Sequence, residues 1–598
     1  MTALPFEGSR RLTGANLFFA GTGAQLETLE PLDAALTAEW QARVRWARAA
    51  LGWGGGVVHA RPHATGTSLA LEAPCDQLFL ATETNEWALC AALAARTPAR
   101  AAELEAALRA AAAEALGPGV PPDPEPVLAQ EAALARFRTL AAREAQPRLR
   151  TLLAAAAARD LPHVEDDALL TLGSGAGGAD FALEALPDPT GIDLAQLHGV
   201  PTALVTGSNG KTTTVRLIAA CAAAQGWPAA WCCTDGVFFA GELQAGGDYA
   251  GPEGARRVIR ERRAAAAVIE TARGGILRRG LAVSQAQVGV VTNVSADHFG
   301  EYGIDDLGAL ADVKLSIAGV VRELLVLNAD DAQLAAKGGA LGTRFARLPP
   351  LGWFAQDAAQ PLLAAHRAAG GAACAVRAGR LELTYGGATH DLGAVAELPL
   401  SVGGSATYNV ANLSAAALAA AALGVAPAHI AAVFARFGRQ VADNPGRLMR
   451  FERAGVAILV DYAHNPEGLE GLLRVAASLR APRGRVGLIL GHAGNRRDSE
   501  IEALAHAAAR HAPALIVVKE NEAYLRGRAP GEIPRLLTAA LRAHGVAPAA
   551  IVQRDSELAA VECALEWAQA GDVLALPVHG AAARGAVLAL LGAASATC

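Results

Sequence analysis

The sequence predicts an α/β protein: a phosphate-loop domain followed by a second, Rossmann-like α/β domain, with an α+β region ahead of both. Three observations carry that prediction. Val205 to Thr214 read VTGSNGKTTT, so an apolar strand over Thr202 to Thr206 enters a glycine-rich turn and then a helix starting near Lys211. Strand-like runs at Ala203 to Thr206, Ala267 to Glu270, Val288 to Val294 and Leu324 to Leu327 alternate with helical segments, the pattern of a mostly parallel sheet that holds its ligand at the strand C-terminal ends. The alternation returns at Ala457 to Val460, Val486 to Leu490, Ala514 to Val518 and Val573 to Leu576, which marks the second domain.

A chain of 598 residues has room for about three to four domains with cores of their own. In order, residues 1–145 mix short apolar runs with long Ala/Glu/Arg helical periodicity, as in Ala91 to Ala115, before a Pro-rich break at Gly117 to Pro126. Residues 146–190 hold a helix and then LPHVEDDALLTLGSGAGG from Leu161 to Gly178. No Lys-Ser/Thr pair follows its glycines, so a flexible turn is expected there and not a second phosphate loop. Residues 191–443 form the phosphate-loop domain and residues 444–598 the Rossmann-like one.

Net charge is −6, from 52 Lys plus Arg against 58 Asp plus Glu, with no basic run; the electrostatic footprint of a nucleic-acid binder is missing. The opening MTALPFEGSRRLTG lacks an apolar core and later alanine-rich stretches are broken by Glu and Arg, so neither a signal peptide nor a membrane span is expected. Eight cysteines are scattered without paired metal spacing and read as small buried residues in a reducing cytoplasm. Four of the cations are lysines: Lys211, Lys314, Lys337 and Lys519. Where arginine is the default, a retained lysine points to a need for a compact ammonium or a neutralisable amine. Drift accounts equally well for Lys337.

The turn has a chemical logic. Gly207 and Gly210 allow backbone conformations closed to other residues, so N–H groups around Ser208 and Asn209 converge on phosphate oxygens at a helix N-terminus. Lys211 adds a point charge beside the β/γ-phosphates, and the hydroxyl of Thr212, followed by Thr213, can ligate Mg²⁺. Glu270 ends a buried strand, where a carboxylate can bind Mg²⁺ opposite the loop; Arg273, Arg278 and Arg279 are candidates for anionic substrate groups. A plain strand-end ion pair with a nearby arginine is the alternative for Glu270.

Only Ser208 and Asn209 separate the two glycines, and G-[ST]-N-G-K-[ST]-[ST] resembles the ATP loop of the Mur ligase family. SRRLTGANL (Ser9 to Leu17), GDYAGPEGAR (Gly247 to Arg256), ETARGGILRRGL (Glu270 to Leu281), GHAGNRRD (Gly491 to Asp498) and KENEAYLRGRAPGE (Lys519 to Glu532) resemble cyanophycin synthetases. The resemblance implies a Mur ligase-type P-loop domain and several further roles. In VTNVSADH the matching histidine, His298, helps bind a second Mg²⁺, and the matching lysine, Lys314 in ALADVK, can be carbamylated to an anionic ligand. A carbamate needs an unprotonated and therefore buried amine; a helix-surface lysine is the alternative. Asn328 in LNADD is matched to the adenine. Tyr408, Asn409 and Asn412 resemble the H-N-x-x-N helix start near the base, with Tyr408 in place of the histidine, and Asn409 reads equally as a helix cap. Arg447 in NPGRL resembles the hinge arginine that reaches the γ-phosphate on domain closure. Asp461 and His464 in DYAHNP turn toward nucleotide or metal, and Arg526 and Arg528 are candidates for the substrate's carboxylates.

The resemblance implies ATP and Mg²⁺ as cofactors, a small peptide or polymer substrate, no nucleic-acid or membrane partner, a homodimer and a cytoplasmic setting. The expected activity is ATP-dependent, ADP-forming amide ligation through an acyl phosphate, with β-aspartyl-arginine dipeptides joined into polymer. The stretch from Leu161 resembles the start of an ATP-grasp domain, yet little of that domain follows before the loop, so one kind of activation is expected. Two alternatives stand: a Mur-type ligase adding one amino acid or amine to another small carboxylate, and a nucleotide-gated binding or scaffold protein.

Overall fold

The computed structural model describes residues 4–116, 127–297, 299–345, 347–520 and 524–592, and these contain four sheets. The central sheet has eleven strands. In its parallel middle, Thr202–Thr206 lies between Ala266–Glu270 and Ala286–Val291, with Val321–Asn328 and Leu351–Ala355 beyond. Helices Lys211–Ala224 and Thr407–Ala422 cover one face, and Pro252–Arg260 and Leu307–Leu315 cover the other. Val205 therefore enters the first core and Leu204 the second, and a strand buried on both sides reads as an unbroken apolar run. Antiparallel strands flank this middle on both sides.

The C-terminal sheet has six strands in the order Met449–Arg453, Val456–Asp461, Val573–Pro577, Val486–Leu490, Leu515–Lys519, Ile551–Arg554, parallel except for the first pair. Ahead of the central sheet stand a four-stranded antiparallel sheet, packed against Ala34–Ala50 and Leu78–Arg96, and a small three-stranded one.

One expectation gains a boundary and another changes. The periodicity over Ala91 to Ala115 is two helices, Leu78–Arg96 and Ala101–Leu116, because Pro98 cannot continue the first helix and opens a short 3₁₀ turn instead. The turn at Gly173 to Gly178 is pinned and not loose: Ala176 N donates to Ala264 O at 2.9 Å, His198 N to Gly177 O at 2.9 Å and Arg262 Nη1 to Gly175 O at 3.1 Å. Among the described residues no helix is long and apolar enough to cross a membrane, and the seven described cysteines carry free thiols, five of them buried.

Candidate functional site

The phosphate loop leaves the C-terminal end of Thr202–Thr206, beside the ends of Ala266–Glu270 and Ala286–Val291. Gly207 has φ of 149° and Gly210 of 83°. A Cβ on Gly207 would lie 1.8 Å from Thr292 Oγ1, and one on Gly210 2.1 Å from Asn412 Oδ1, so both conformation and space demand glycine. Thr292 and Asn293 hold the turn from outside: Ser208 N donates to Asn293 O at 3.0 Å, Asn209 N to Asn293 Oδ1 at 2.8 Å and Thr292 Oγ1 to Asn209 O at 2.6 Å. Lys211 Nζ folds back over it, donating to Gly207 O at 3.0 Å and Ser208 O at 3.1 Å. The loop opens the helix Lys211–Ala224, so its N–H groups and the helix dipole favour an anion.

Thr212 Oγ1 donates to Glu270 Oε2 at 2.8 Å and Thr234 Oγ1 to Glu270 Oε1 at 3.1 Å. Glu270, 1% exposed, thus takes two hydroxyl donors at the strand end. A hydroxyl and a carboxylate beside a phosphate cradle are hard oxygen ligands, and this donor pair fits Mg²⁺. Lys314 is 3% exposed, which removes the helix-surface alternative. Burial first, and the nearby charge of Lys211 second, push its amine well below the ordinary lysine range. His298 lies outside the described residues. Its neighbour Asp297 meets Arg496 Nη1 at 3.2 Å and His464 Nε2 at 3.5 Å, both from the C-terminal domain. Among the described residues no group of three His, Cys, Asp or Glu side chains is arranged to hold a metal.

Toward the expected base site, Asn328 Nδ2 donates to Thr292 O at 3.0 Å while its Oδ1 accepts from Asp330 N at 3.0 Å. Asn409 is not a cap: the helix begins after Ala406, and Asn409 Nδ2 donates to Leu400 O at 3.1 Å. Asn412 donates to Asn409 Oδ1 at 3.1 Å and lies directly under Gly210. Tyr408 sits between the domains instead, packed on Gly471.

Arg447 lies 4.3 Å over the Tyr462 ring. Asp461 accepts from Leu448 N at 2.6 Å; burial raises its carboxyl pKa, and the Arg447 charge opposes that rise. Of the arginines expected to meet the substrate, Arg273 is buried and ion-paired to Glu301. Arg278 is exposed and donates to Gly274 O of its own helix at 3.1 Å, and exposed Arg526 lies 5.2 Å over the Tyr524 ring. Arg528 donates to Gly494 O at 2.9 Å, Arg496 O at 2.7 Å, Asp498 at 2.7 Å and Glu532 at 2.7 Å. With Nε and both terminal nitrogens engaged it ties residues 494–498 to the start of the helix Glu532–Ala543.

Three contacts between domains had no signal in the sequence. Asp235 takes Arg216 Nη2 at 2.8 Å and Arg584 Nη2 at 2.9 Å, joining the phosphate-loop helix to the helix Ala581–Leu590. Asn465 Nδ2 donates to Asn209 Oδ1 at 2.8 Å, and Asn209 Nδ2 to Glu467 Oε2 at 3.1 Å, so the C-terminal domain touches the loop itself. Arg216 donates further to Asn444 Oδ1 at 3.1 Å and Pro445 O at 2.9 Å.

The Mur ligase middle domain matches residues 205–349, and the Mur ligase glutamate ligase domain matches residues 446–576. A cyanophycin synthetase from Nostoc sp. is 36% identical over 341 residues, covering 57% of this chain and 37% of that protein. This chain thus matches well under half the length of that relative. The UDP-N-acetylmuramoyl-L-alanyl-D-glutamate–2,6-diaminopimelate ligase of Xanthomonas campestris is 31% identical over 416 residues, covering 67% of this chain and 77% of that one. Among solved structures, Mycobacterium tuberculosis folylpolyglutamate synthase complexed with ADP aligns with a TM-score of 0.48 at 17% identity, over 66% of this chain and 90% of that one.

Proposed function

Because this chain belongs to the Mur ligase family, we propose that it is an ATP-dependent, ADP-forming amide ligase that joins β-aspartyl-arginine dipeptides into polymer. The observation that carries the ligase reading is the glycine-built loop with Lys211, Thr212 and Glu270 gathered at adjoining strand ends beside buried Lys314. The cyanophycin synthetase likeness over 341 residues supports the choice of substrate.

In this reading a substrate carboxylate oxygen attacks the γ-phosphorus, the bond to the β–γ bridging oxygen breaks and ADP leaves. An amine nitrogen then attacks the acyl carbon, loses a proton, and phosphate departs. Lys211 and the loop N–H groups hold the negative charge that spreads over the transferring phosphoryl group, so catalysis is positioning and charge stabilisation with no protein nucleophile. Thr212 and Glu270 would hold Mg²⁺, which supplies further charge neutralisation when bound. A carbamate on Lys314 and the imidazole of His298 would complete the metal ligands. Arg273 receives an anionic group of the peptide, and Arg447 turns from the Tyr462 ring to the nucleotide on domain closure. A reducing cytoplasm suits the free thiols.

Purified protein with ATP, Mg²⁺ and β-aspartyl-arginine should release one ADP per dipeptide added and make polymer visible by mass spectrometry. Free aspartate and arginine should give none, because activation of a backbone carboxylate and of a side-chain carboxylate requires two ATP sites and this chain presents one phosphate loop. Polymer from the free amino acids overturns the proposal. The 31% identity to a diaminopimelate ligase over 77% of its length favours a second reading, addition of a single amino acid to another carboxylate. Inactivity on the dipeptide with robust ligation of another amine selects it.

A further inference from the structure

Residues 299–305 form a junction of the three large parts of the chain. From the C-terminal domain, Arg497 Nη2 meets Asp305 Oδ1 at 3.4 Å and its guanidinium lies on Gly300, where a Cβ would come within 1.6 Å of it. From the central domain, Arg273 pairs with Glu301. From the N-terminal sheet, Arg61 Nη2 donates to Gly303 O at 2.8 Å, the His63 ring lies against Gly303, and the Arg10 guanidinium stacks 4.5 Å over the Tyr302 ring.

Arg10 reaches both sides of the Arg273–Glu301 pair. While it stacks on Tyr302, the neighbour of Glu301, its Nε donates at 3.1 Å to Leu277 O, in the helix Arg273–Arg279 that begins with Arg273. Arg10 is itself fixed. Its Nη2 meets Glu27 Oε1 at 3.0 Å, Gln25 Nε2 reaches the same oxygen at 2.6 Å, and the other Glu27 oxygen lies 3.2 Å from His63 Nε2. With Glu27 6% exposed, this chain of contacts is an internal strut and not a surface pair. Further backbone bonds, Thr13 N to Arg279 O at 2.7 Å and Leu281 N to Ala15 O at 2.8 Å, clamp the far end of the same helix to the N-terminal segment.

We propose that Arg10 is a positioning residue of the ligase reaction: bridging Tyr302 and Leu277, it fixes Glu301 against Arg273 and so sets the guanidinium that receives the anionic group of the peptide substrate. This rests on the role given to Arg273 above. The N-terminal sheet, which lies outside both matched Mur ligase segments, acts on turnover through this strut without touching the reacting atoms.

The test compares Arg10→Ala, Arg10→Lys, Tyr302→Ala and Tyr302→Phe with the parent protein. Arg10→Ala should raise KM for β-aspartyl-arginine about tenfold while KM for ATP stays within about twofold, since a cation–π contact and a bridging hydrogen bond are removed far from the phosphate loop. Tyr302→Ala should do the same and Tyr302→Phe, which keeps the ring face, should restore the parental value. Arg10→Ala/Tyr302→Ala should be no worse than Arg10→Ala alone, because the stacking contact is already lost in that variant. Hydrogen exchange without ligands should show faster uptake in residues 273–279 and 299–305 in Arg10→Ala. Equal rises in both KM values, additive effects of the two alanines, or unchanged uptake in these segments overturns the strut. If the parent releases no ADP with any peptide, the ligase reading fails, and the exchange measurement still decides the strut.

Discussion

The Lys519–Glu557 pair gives a prediction whose size follows from burial. The Lys519 side chain is 0% exposed and that of Glu557 5%, and their ion pair joins the end of Leu515–Lys519 to the start of Glu557–Trp567. Lys519 also donates to Pro577 O, while Glu557 accepts from His579 N at 2.9 Å and Gly580 N at 2.8 Å. Removing one partner of such a pair typically costs about 3–5 kcal/mol, because the other charge stays buried. Lys519→Met leaves the carboxylate its two N–H donors and should fall near about 3 kcal/mol; Glu557→Gln leaves the ammonium with a carbonyl and should cost about the same. The double variant has no charge to strand, so it should recover about 2 kcal/mol relative to the sum of the single changes. Urea-dependent hydrogen exchange of the strand Leu515–Lys519 reads this directly. Burial acts to raise the Glu557 carboxyl, but the Lys519 ammonium and the two N–H groups hold it below the ordinary value of 4.5. A depressed carboxyl stabilises above its unfolded pKa and loses that contribution as pH falls through its folded pKa. The parent should therefore lose stability in acid more steeply than the double variant. Single variants within about 1 kcal/mol of the parent, or strictly additive costs, would refute the reasoning.

Lys211→Ala should lower ATP turnover by about 10²-fold or more, since it removes the cation at the transferring phosphoryl group; near-parental ADP release would falsify the assignment of the loop. Lys314→Ala should be inactive and regain activity with a short carboxylate such as acetate, because the proposal requires an anionic ligand there; full activity without rescue ends that assignment. Asp235→Asn leaves Arg216 and Arg584 facing one another without a countercharge and should weaken domain docking by about 3 kcal/mol. Faster hydrogen exchange in Ala581–Leu590 is the expected readout, and an unchanged rate would show that the bridge does not hold the domains.

The phosphate loop was legible because every part of it is local. A five-residue apolar run, two glycines, a lysine and a hydroxyl follow one another, and each constrains its neighbours through bonds of short span. The long alanine-rich periodicity around Pro98 hid the break that proline chemistry demands there. Asn409 shows the opposite case: the residue type suggests a cap, yet the backbone turns at Ala406 and its amide serves Leu400. Arg528 was recognisable as a cation in a polar loop, but whether it faces a substrate or its own loops depends on where Asp498 and Glu532 come to lie. The Asp235 bridge was beyond any local signal, since Asp235 and Arg584 stand 349 positions apart.

The scarcity of lysine becomes intelligible once burial is known. Lys337, the one without a motif, makes a partly exposed pair with Asp312 at 2.8 Å that an arginine would make as well. The other three occupy places where a guanidinium would fail for different reasons. Lys211 curls over its own loop onto two carbonyls, which suits a compact head with rotatable donors more than a rigid planar fork. Lys519 points its head between one carboxylate and one carbonyl in a fully enclosed slot, where a guanidinium's five N–H donors would outnumber the acceptors and leave orphans. Lys314 is enclosed near the positive Lys211, where burial disfavours the charged form and an amine is able to give up its proton. Arginine cannot do so in a protein. A chain that otherwise favours arginine by a wide margin thus keeps lysine where the surroundings exclude a larger, permanently charged head.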